Sequence, residues 1–130
     1  MLFKFSLKTT RNNELIDITD EVEKYVRQTK ISSGLCVVYT PHTTAAITIN
    51  ENADPTVQRD IIYELNKIVP LSDNYQHSEG NSAAHIKSSL VGTSETIIIE
   101  NNQLLLGTWQ GIYFCEFDGP RARTVFVKCL

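Results

Sequence analysis

The sequence predicts an α+β domain of mostly antiparallel strands with three inserted helices. Three observations carry that reading. Apolar and polar residues alternate in many short runs, as in Leu2 to Ser6, which is the period of a half-buried strand. Turn signals such as Asn101-Asn102 and Asp118-Gly119-Pro120 separate those runs. Two stretches carry apolar residues at helical spacing and a third carries a helix cap and stop, and all three are inserted among the strand-like segments. At 130 residues the chain fits one domain, residues 1–130, and no internal repeat or low-complexity segment divides it.

Taken in order, residues 2–9 and 14–18 alternate around Arg11-Asn12-Asn13 and read as a β-hairpin. A short helix follows, capped by Thr19 or Asp20, with Val22, Tyr25, Val26 and Thr29 on one face and an end at Ser33-Gly34. Residues 34–40 are apolar and β-branched, and residues 45–50 alternate, so two strands flank Pro41, which cannot donate to a ladder. Asp54-Pro55 is a cap followed by proline at the first helical position. Val57, Ile61, Ile62, Leu65 and Ile68 then mark the apolar face of a second helix. Residues 70–80 are polar and rich in turn formers, and a third helix starts at Asn81 or Ser82 and stops near Gly92. Residues 96–100 and 103–106 flank Asn101-Asn102 as a hairpin. Residues 112–117 and 124–129 flank Asp118-Gly119-Pro120 as another. Trp109 reads as a core residue.

Composition narrows the function classes. A net charge of -3 provides no broad basic field for nucleic acid, which draws its affinity from many lysines and arginines. The N-terminal residues lack the continuous apolar core of a signal peptide, and no run approaches the roughly 20 apolar residues of a membrane span, so a cytoplasmic protein is expected. Cys36, Cys115 and Cys129 are odd in number, lack Cys-x-x-Cys spacing and sit in apolar runs, which predicts buried, reduced thiols.

The chemistry-bearing residues concentrate in two short stretches. His42 lies in Pro41-His42-Thr43-Thr44, and His77 and His85 stand eight positions apart around a segment containing Gly80 and a helix cap. These are all the histidines of the chain. Imidazole is the usual neutral nitrogen ligand of zinc, and three protein ligands with a fourth position open is the usual catalytic form. His42, His77 and His85 are therefore expected to hold one divalent ion, zinc in the first instance. The spacing is not one of the tight zinc patterns, so independent surface histidines are the competing reading.

Glu79 between the two later histidines is a candidate ligand or base, and Glu51 is a second candidate base. An extended strand carries Glu51 up to roughly 30 Å from His42, so it would serve a site on a neighbouring subunit. Arg121 and Arg123, two apart on an extended run, would face one way and suit a phosphate or carboxylate; ion pairs with Glu116 or Asp118 are the alternative. Thr43, Thr44, Lys87 and Gln110 complete the expected anion- and substrate-binding set.

The stretches Pro41-His42-Thr43-Thr44-Ala45-Ala46 with Asn50-Glu51, His77 through Gly80-Asn81 to His85-Ile86-Lys87, residues 107–111 and residues 116–123 resemble the YjbQ family, from about residue 34 to the C-terminus. The resemblance implies a sandwich-like α+β domain assembling as a homotrimer, with the histidines in a cleft near subunit contacts. Family names often include secondary thiamine-phosphate synthase, an auxiliary ability to join a pyrimidine pyrophosphate to a thiazole phosphate. Many relatives carry Asp-Asp-Met-Pro before the last histidine. Here Asn81-Ser82-Ala83-Ala84 stands there, so any role of those aspartates does not carry over. The expected function is a metal-dependent enzyme acting on a small phosphorylated substrate, with auxiliary thiamine-phosphate synthesis as the specific chemistry implied by the resemblance. The alternative is a non-catalytic, trimeric metal- or metabolite-binding protein. Neither nucleic acid nor membrane is an expected partner.

Overall fold

Alternating side chains give each strand one face to bury, and the chain satisfies that demand with two stacked sheets. The computed structural model describes residues 1–130. Its elements are β1 (Leu2–Lys8), β2 (Glu14–Asp17), α1 (Thr19–Thr29), β3 (Ser33–Tyr39), β4 (Ala45–Glu51), α2 (Pro55–Ile68), α3 (Ser82–Val91), β5 (Ser94–Glu100), β6 (Gln103–Leu104), β7 (Gln110–Glu116) and β8 (Ala122–Cys129). One sheet has five strands in the order β1-β8-β3-β5-β6, and the other has three in the order β2-β7-β4. Every pairing is antiparallel.

The main core lies between the sheets. Val125 and Val127 of β8, Cys36 and Val38 of β3, and Ile97 and Ile99 of β5 meet Ala45 and Ile47 of β4, Ile112 and Phe114 of β7, and Val22 and Val26 of α1. The three-stranded sheet is buried on both sides: Ala46, Cys115 and Phe117 form a second apolar cluster with Ala84 of α3. That double burial explains why residues 111–117 are all buried and why residues 112–115 read as continuously apolar.

The three helices, the α+β class and the hairpin at Asn101-Asn102 match the sequence expectation, with both asparagines at positive φ in the turn. Two expected hairpins do not form. β1 pairs with β8 and β2 with β7, so residues 9–13 carry the chain from one sheet to the other; β7 and β8 likewise belong to different sheets, and residues 117–121 cross between them. The two crossovers lie against each other. The backbone N–H of Gly119 donates to the carbonyl of Asn12 at 3.1 Å, and that of Thr9 donates to the carbonyl of Arg121 at 2.9 Å. A β-carbon on Gly119 would stand 2.3 Å from the Arg11 carbonyl oxygen, so this joint requires glycine for close approach rather than for a hairpin turn.

Other boundaries also shift. α1 ends at Thr29, with Lys30 in the left-handed conformation, before the expected Ser33-Gly34 stop; residues 33 and 34 already belong to β3. Asp17 does the capping expected of Thr19 or Asp20: its Oδ1 accepts from the Thr19 backbone N–H at 2.9 Å and from the Thr19 hydroxyl at 2.5 Å. Asp54 caps α2 as expected, accepting from Thr56 N–H at 2.9 Å. Yet no residue of α2 is buried, and Ile68 is 62% exposed. Trp109, expected in the core, is also 62% exposed. No helix is long and apolar enough to cross a membrane. All three cysteines are buried free thiols; burial pushes Cys36 and Cys115 up to about 12.

Candidate functional site

The β3–β4 connection, residues 40–44, crosses the end of the sandwich and is tied to β8 along its length. Thr40 is fully buried and its hydroxyl donates to the Thr124 carbonyl at 3.0 Å. His42 Nε2 accepts from the Thr124 backbone N–H at 3.0 Å. Arg123 Nη2 donates to the Thr44 hydroxyl at 2.9 Å. Burial, with the positive charges of Arg123 and Arg121, lowers the His42 pKa against the opposing pull of Glu116. The neutral ring thus spends its one lone pair on Thr124 and carries its proton on Nδ1.

Arg123 belongs to the inward face of β8. It is 4% exposed and grips Glu116, which is wholly buried: Nε donates to Oε1 at 2.8 Å and Nη2 to Oε2. The Thr9 hydroxyl donates to Glu116 Oε1 at 2.7 Å and the Asp118 backbone N–H to Oε2 at 2.9 Å. Burial alone would raise the Glu116 carboxyl. The hydrogen bonds from Arg123, Thr9 and Asp118, with the Arg123 charge, more than reverse this and hold it below the ordinary carboxylate range. Arg121 precedes β8 and stays at the surface. It binds Asp118 through Nε to the carbonyl at 2.8 Å and through Nη2 to Oδ2 at 2.7 Å, with half its side chain exposed. The two arginines therefore do not present two free forks on one face. Arg123 is consumed inside the protein, and Arg121 keeps unused N–H groups.

His77, in the loop before α3, and His85, in the first turns of α3, meet edge to face with ring centroids 5.5 Å apart and planes at 87°. They share one cavity of about 440 Å³ with His42, Thr43, Thr44, Glu79, Asn81, Asp118, Arg121 and Arg123, and no hydrophobic side chain lines it. A neighbouring cleft of about 590 Å³ opens from Pro41, His42, Thr43 and His85 toward Ser89 and Thr93.

The fold thus brings together the three histidines, both threonines, Glu79 and both arginines, while three expected residues lie elsewhere. Glu51 and Gln110 are partners in the β4–β7 ladder at the end opposite Ala45, about 20 Å along the strand at the usual rise. Lys87 is 3% exposed and points into a different cavity, where Nζ donates to Asn13 Oδ1 at 3.0 Å and to Asn66 Oδ1. The expected three-histidine metal shell is not assembled within the chain. No three His, Cys, Asp or Glu side chains stand close enough to hold an ion, and His42 spends its lone pair on a backbone N–H.

Sequence reasoning passed over Thr9, Asn81, Ser89 and Thr93. Asn81 was legible only as a helix cap; in fact its side-chain amide donates to Asp118 Oδ2 at 2.8 Å and closes one wall of the cavity. What gathers around the histidine pair is a polar, water-accessible pocket. One partly free guanidinium, imidazole N–H groups and hydroxyl donors suit an oxyanion.

Comparison with known proteins covers the whole chain. A family profile described as UPF0047 protein YjbQ-like matches residues 3–130, further than the stretch from residue 34 on which the sequence resemblance rests. A UPF0047 protein of Methanocaldococcus jannaschii is 56% identical over 130 residues, covering 100% of this chain and 94% of the relative. The UPF0047 protein YugU of Bacillus subtilis is 54% identical over 131 residues, covering 100% and 99%. Among solved structures, a protein of the YjbQ/UPF0047 family from Clostridium acetobutylicum superimposes with a TM-score of 0.97 at 59% identity, covering 98% of this chain and 99% of its own. A YbjQ-like protein of unknown function from Sulfolobus solfataricus gives 0.96 at 32% identity, covering 99% and 95%. With the family profile spanning nearly every residue and relatives of more than half identity spanning all of them, the chain belongs to the YjbQ-like UPF0047 family.

Proposed function

We propose that the histidine cavity binds the phosphate or pyrophosphate group of a small metabolite and that the protein is an enzyme acting on it. The observation carrying this reading is the convergence of Arg121, His77, His85 and Thr43 on one largely polar cavity. Arg121 exchanges part of its hold on Asp118 for phosphate oxygens, a fork-to-oxyanion contact stronger than a neutral hydrogen bond. The His77–His85 pair offers N–H donors, and Glu79 on the same wall accepts a proton. These parts fit departure of pyrophosphate from a pyrimidine while a thiazole nitrogen attacks, the auxiliary thiamine-phosphate synthase chemistry. They fit hydrolysis of a phosphate ester equally well. The test is steady-state turnover of both substrate types by the full chain. His85→Ala and Arg121→Gln should each lower kcat/KM by at least about tenfold, one unit of 1.4 kcal/mol. Unchanged turnover in both variants would remove the site from catalysis.

A second reading, a non-catalytic trimeric metal- or metabolite-binding protein, is favoured by two features. The perpendicular His77–His85 pair offers two imidazoles to one ion, with zinc the first candidate, and a neighbouring subunit would have to complete the shell. α2 leaves Tyr63 and Ile68 both more than 60% exposed, apolar surface that a second and third copy would bury. Metal analysis of untagged protein and light scattering, expected near three times 14.7 kDa, test these two features separately.

A further inference from the structure

The cleft of about 590 Å³ beside the histidine cavity runs between α3 and the β3–β4 connection. His85 and Ser89 are one helical turn apart and lie on the same side of α3, with Thr93 just past its end; Thr40, His42 and Thr43 belong to the facing connection. Two of the hydroxyls here are taken up by the fold. Buried Ser88 donates to the Ala45 carbonyl at 2.6 Å, and buried Thr40 donates to the Thr124 carbonyl at 3.0 Å. The hydroxyls of Thr43, Ser89 and Thr93 make no hydrogen bond within the chain. No Lys, Arg, Asp or Glu lines the cleft, although 21% of the residues of the chain are charged.

His42 and His85 line both the cleft and the histidine cavity. The Thr124 N–H occupies His42 Nε2, so Nδ1–H is the donor this ring can offer. A ligand with its phosphate in the cavity and its organic part in the cleft passes both rings at the ester oxygen that joins the two. The other flank of the cavity differs in kind. It is a groove of about 430 Å³ along Tyr75, His77, His85 and Ile86 that presents mainly carbon, and the Tyr75 hydroxyl is already spent on the Pro70 carbonyl at 2.7 Å. The cleft shares His42, Thr43 and His85 with the cavity, whereas the groove shares only the His77–His85 pair.

We propose that the organic part of the ligand is a small polyhydroxylated group lying in this cleft, so that the substrate class is a polyol or sugar phosphate monoester. The proposal rests on the phosphate reading of the histidine cavity and deepens it. Free hydroxyls donate and accept, as those of a polyol do, and each replaces water without stranding a charge. A carboxylate or ammonium on the ligand would lose water there and gain no counter-charge. A second phosphate, as a thiazole phosphate would bring, meets the same cost, since neither flank carries a Lys or Arg. The lining therefore favours the monoester over transfer between two anionic substrates.

The test is calorimetric titration of the full chain with inorganic phosphate, glucitol 6-phosphate, 6-phosphogluconate and phenyl phosphate. Glucitol 6-phosphate should bind at least about tenfold tighter than each of the other three. Ser89 is exposed, so Ser89→Phe should fold and fill the cleft, reducing glucitol 6-phosphate to the affinity of inorganic phosphate while that of inorganic phosphate itself stays within about twofold. Ser89→Lys, which puts a cation in the cleft, should place 6-phosphogluconate ahead of glucitol 6-phosphate. Binding of inorganic phosphate with no gain for glucitol 6-phosphate, or a gain that survives Ser89→Phe, would overturn the proposal and leave the phosphate reading standing. Phenyl phosphate as the tightest of the four would assign the organic part to the Tyr75 groove instead. Absence of binding by all four would remove the phosphate reading, and this proposal with it.

Discussion

Arg121 and Arg123 are two residues apart, carry the same side chain and each meet one carboxylate, yet they occupy opposite physical regimes. Arg123 and Glu116 lie inside the seam between the sheets, 4% and 0% exposed, with hydroxyl and backbone donors filling the remaining carboxylate positions. Arg121 and Asp118 lie on the rim of the histidine cavity, with the guanidinium half exposed to water and the carboxylate 17% exposed. A charge that has been dehydrated must keep its partner, while a charge in water can change partners at little cost. The seam therefore belongs to the fold, and the rim is free to serve the proposed ligand.

Breaking the seam should have the largest effect. Arg123→Met leaves the Glu116 carboxylate buried without its counter-charge and should lower unfolding free energy in urea by about 3 to 5 kcal/mol. Breaking the rim should instead show in binding. Arg121→Gln should weaken phosphate affinity by about 1.5 to 3 kcal/mol, read by calorimetric titration, the range for a hydrogen bond to a charged group. Its effect on unfolding in urea should stay within about 1 kcal/mol, as for exposed pairs.

Acidity sharpens the contrast. Folding depresses the Glu116 carboxyl, so the stability it contributes is present above its unfolded pKa, near 4.5, and is lost as pH falls through the lower folded value. The stability gap between wild type and Glu116→Gln should accordingly narrow below about pH 4.5, whereas the gap for Arg121→Gln should stay small throughout. A gap that widened on acidification would reverse the assigned sign.

A smaller effect is expected where the seam meets the cavity. His42 is lowered by burial and by the Arg123 charge, and it serves Thr124 as an acceptor. His42→Gln, which retains an acceptor, should cost less stability than His42→Phe, which leaves the Thr124 N–H unpaired at about 1 to 3 kcal/mol. Equal losses for the two would mean the hydrogen bond contributes nothing.

The same contrast separates what the sequence disclosed from what it hid. Alternation located nearly every strand, and Asp54-Pro55 located α2, because both signals are local. Which strands pair is not local: β1 finds β8 more than a hundred residues away, and the two apparent hairpins are crossovers packed against each other. At the site, Glu116 and Asp118 were readable as partners for the arginines because they sit a few residues from them. That Arg123 faces inward and Arg121 outward followed from where β8 begins, one residue after Arg121. Lys87 is two residues past His85, but it is drawn into another cavity by Asn13 and Asn66, which no spacing along the chain reveals.

The most direct measurement of the central claim is phosphate binding by the full chain, followed by phosphorus NMR and calorimetry, in wild type, Arg121→Gln, and the double variant His77→Ala with His85→Ala. The account predicts saturable binding in the wild type, at least about tenfold weaker in each variant, with all three proteins equally stable to urea within about 1 kcal/mol. Equal phosphate affinity in all three proteins would contradict it.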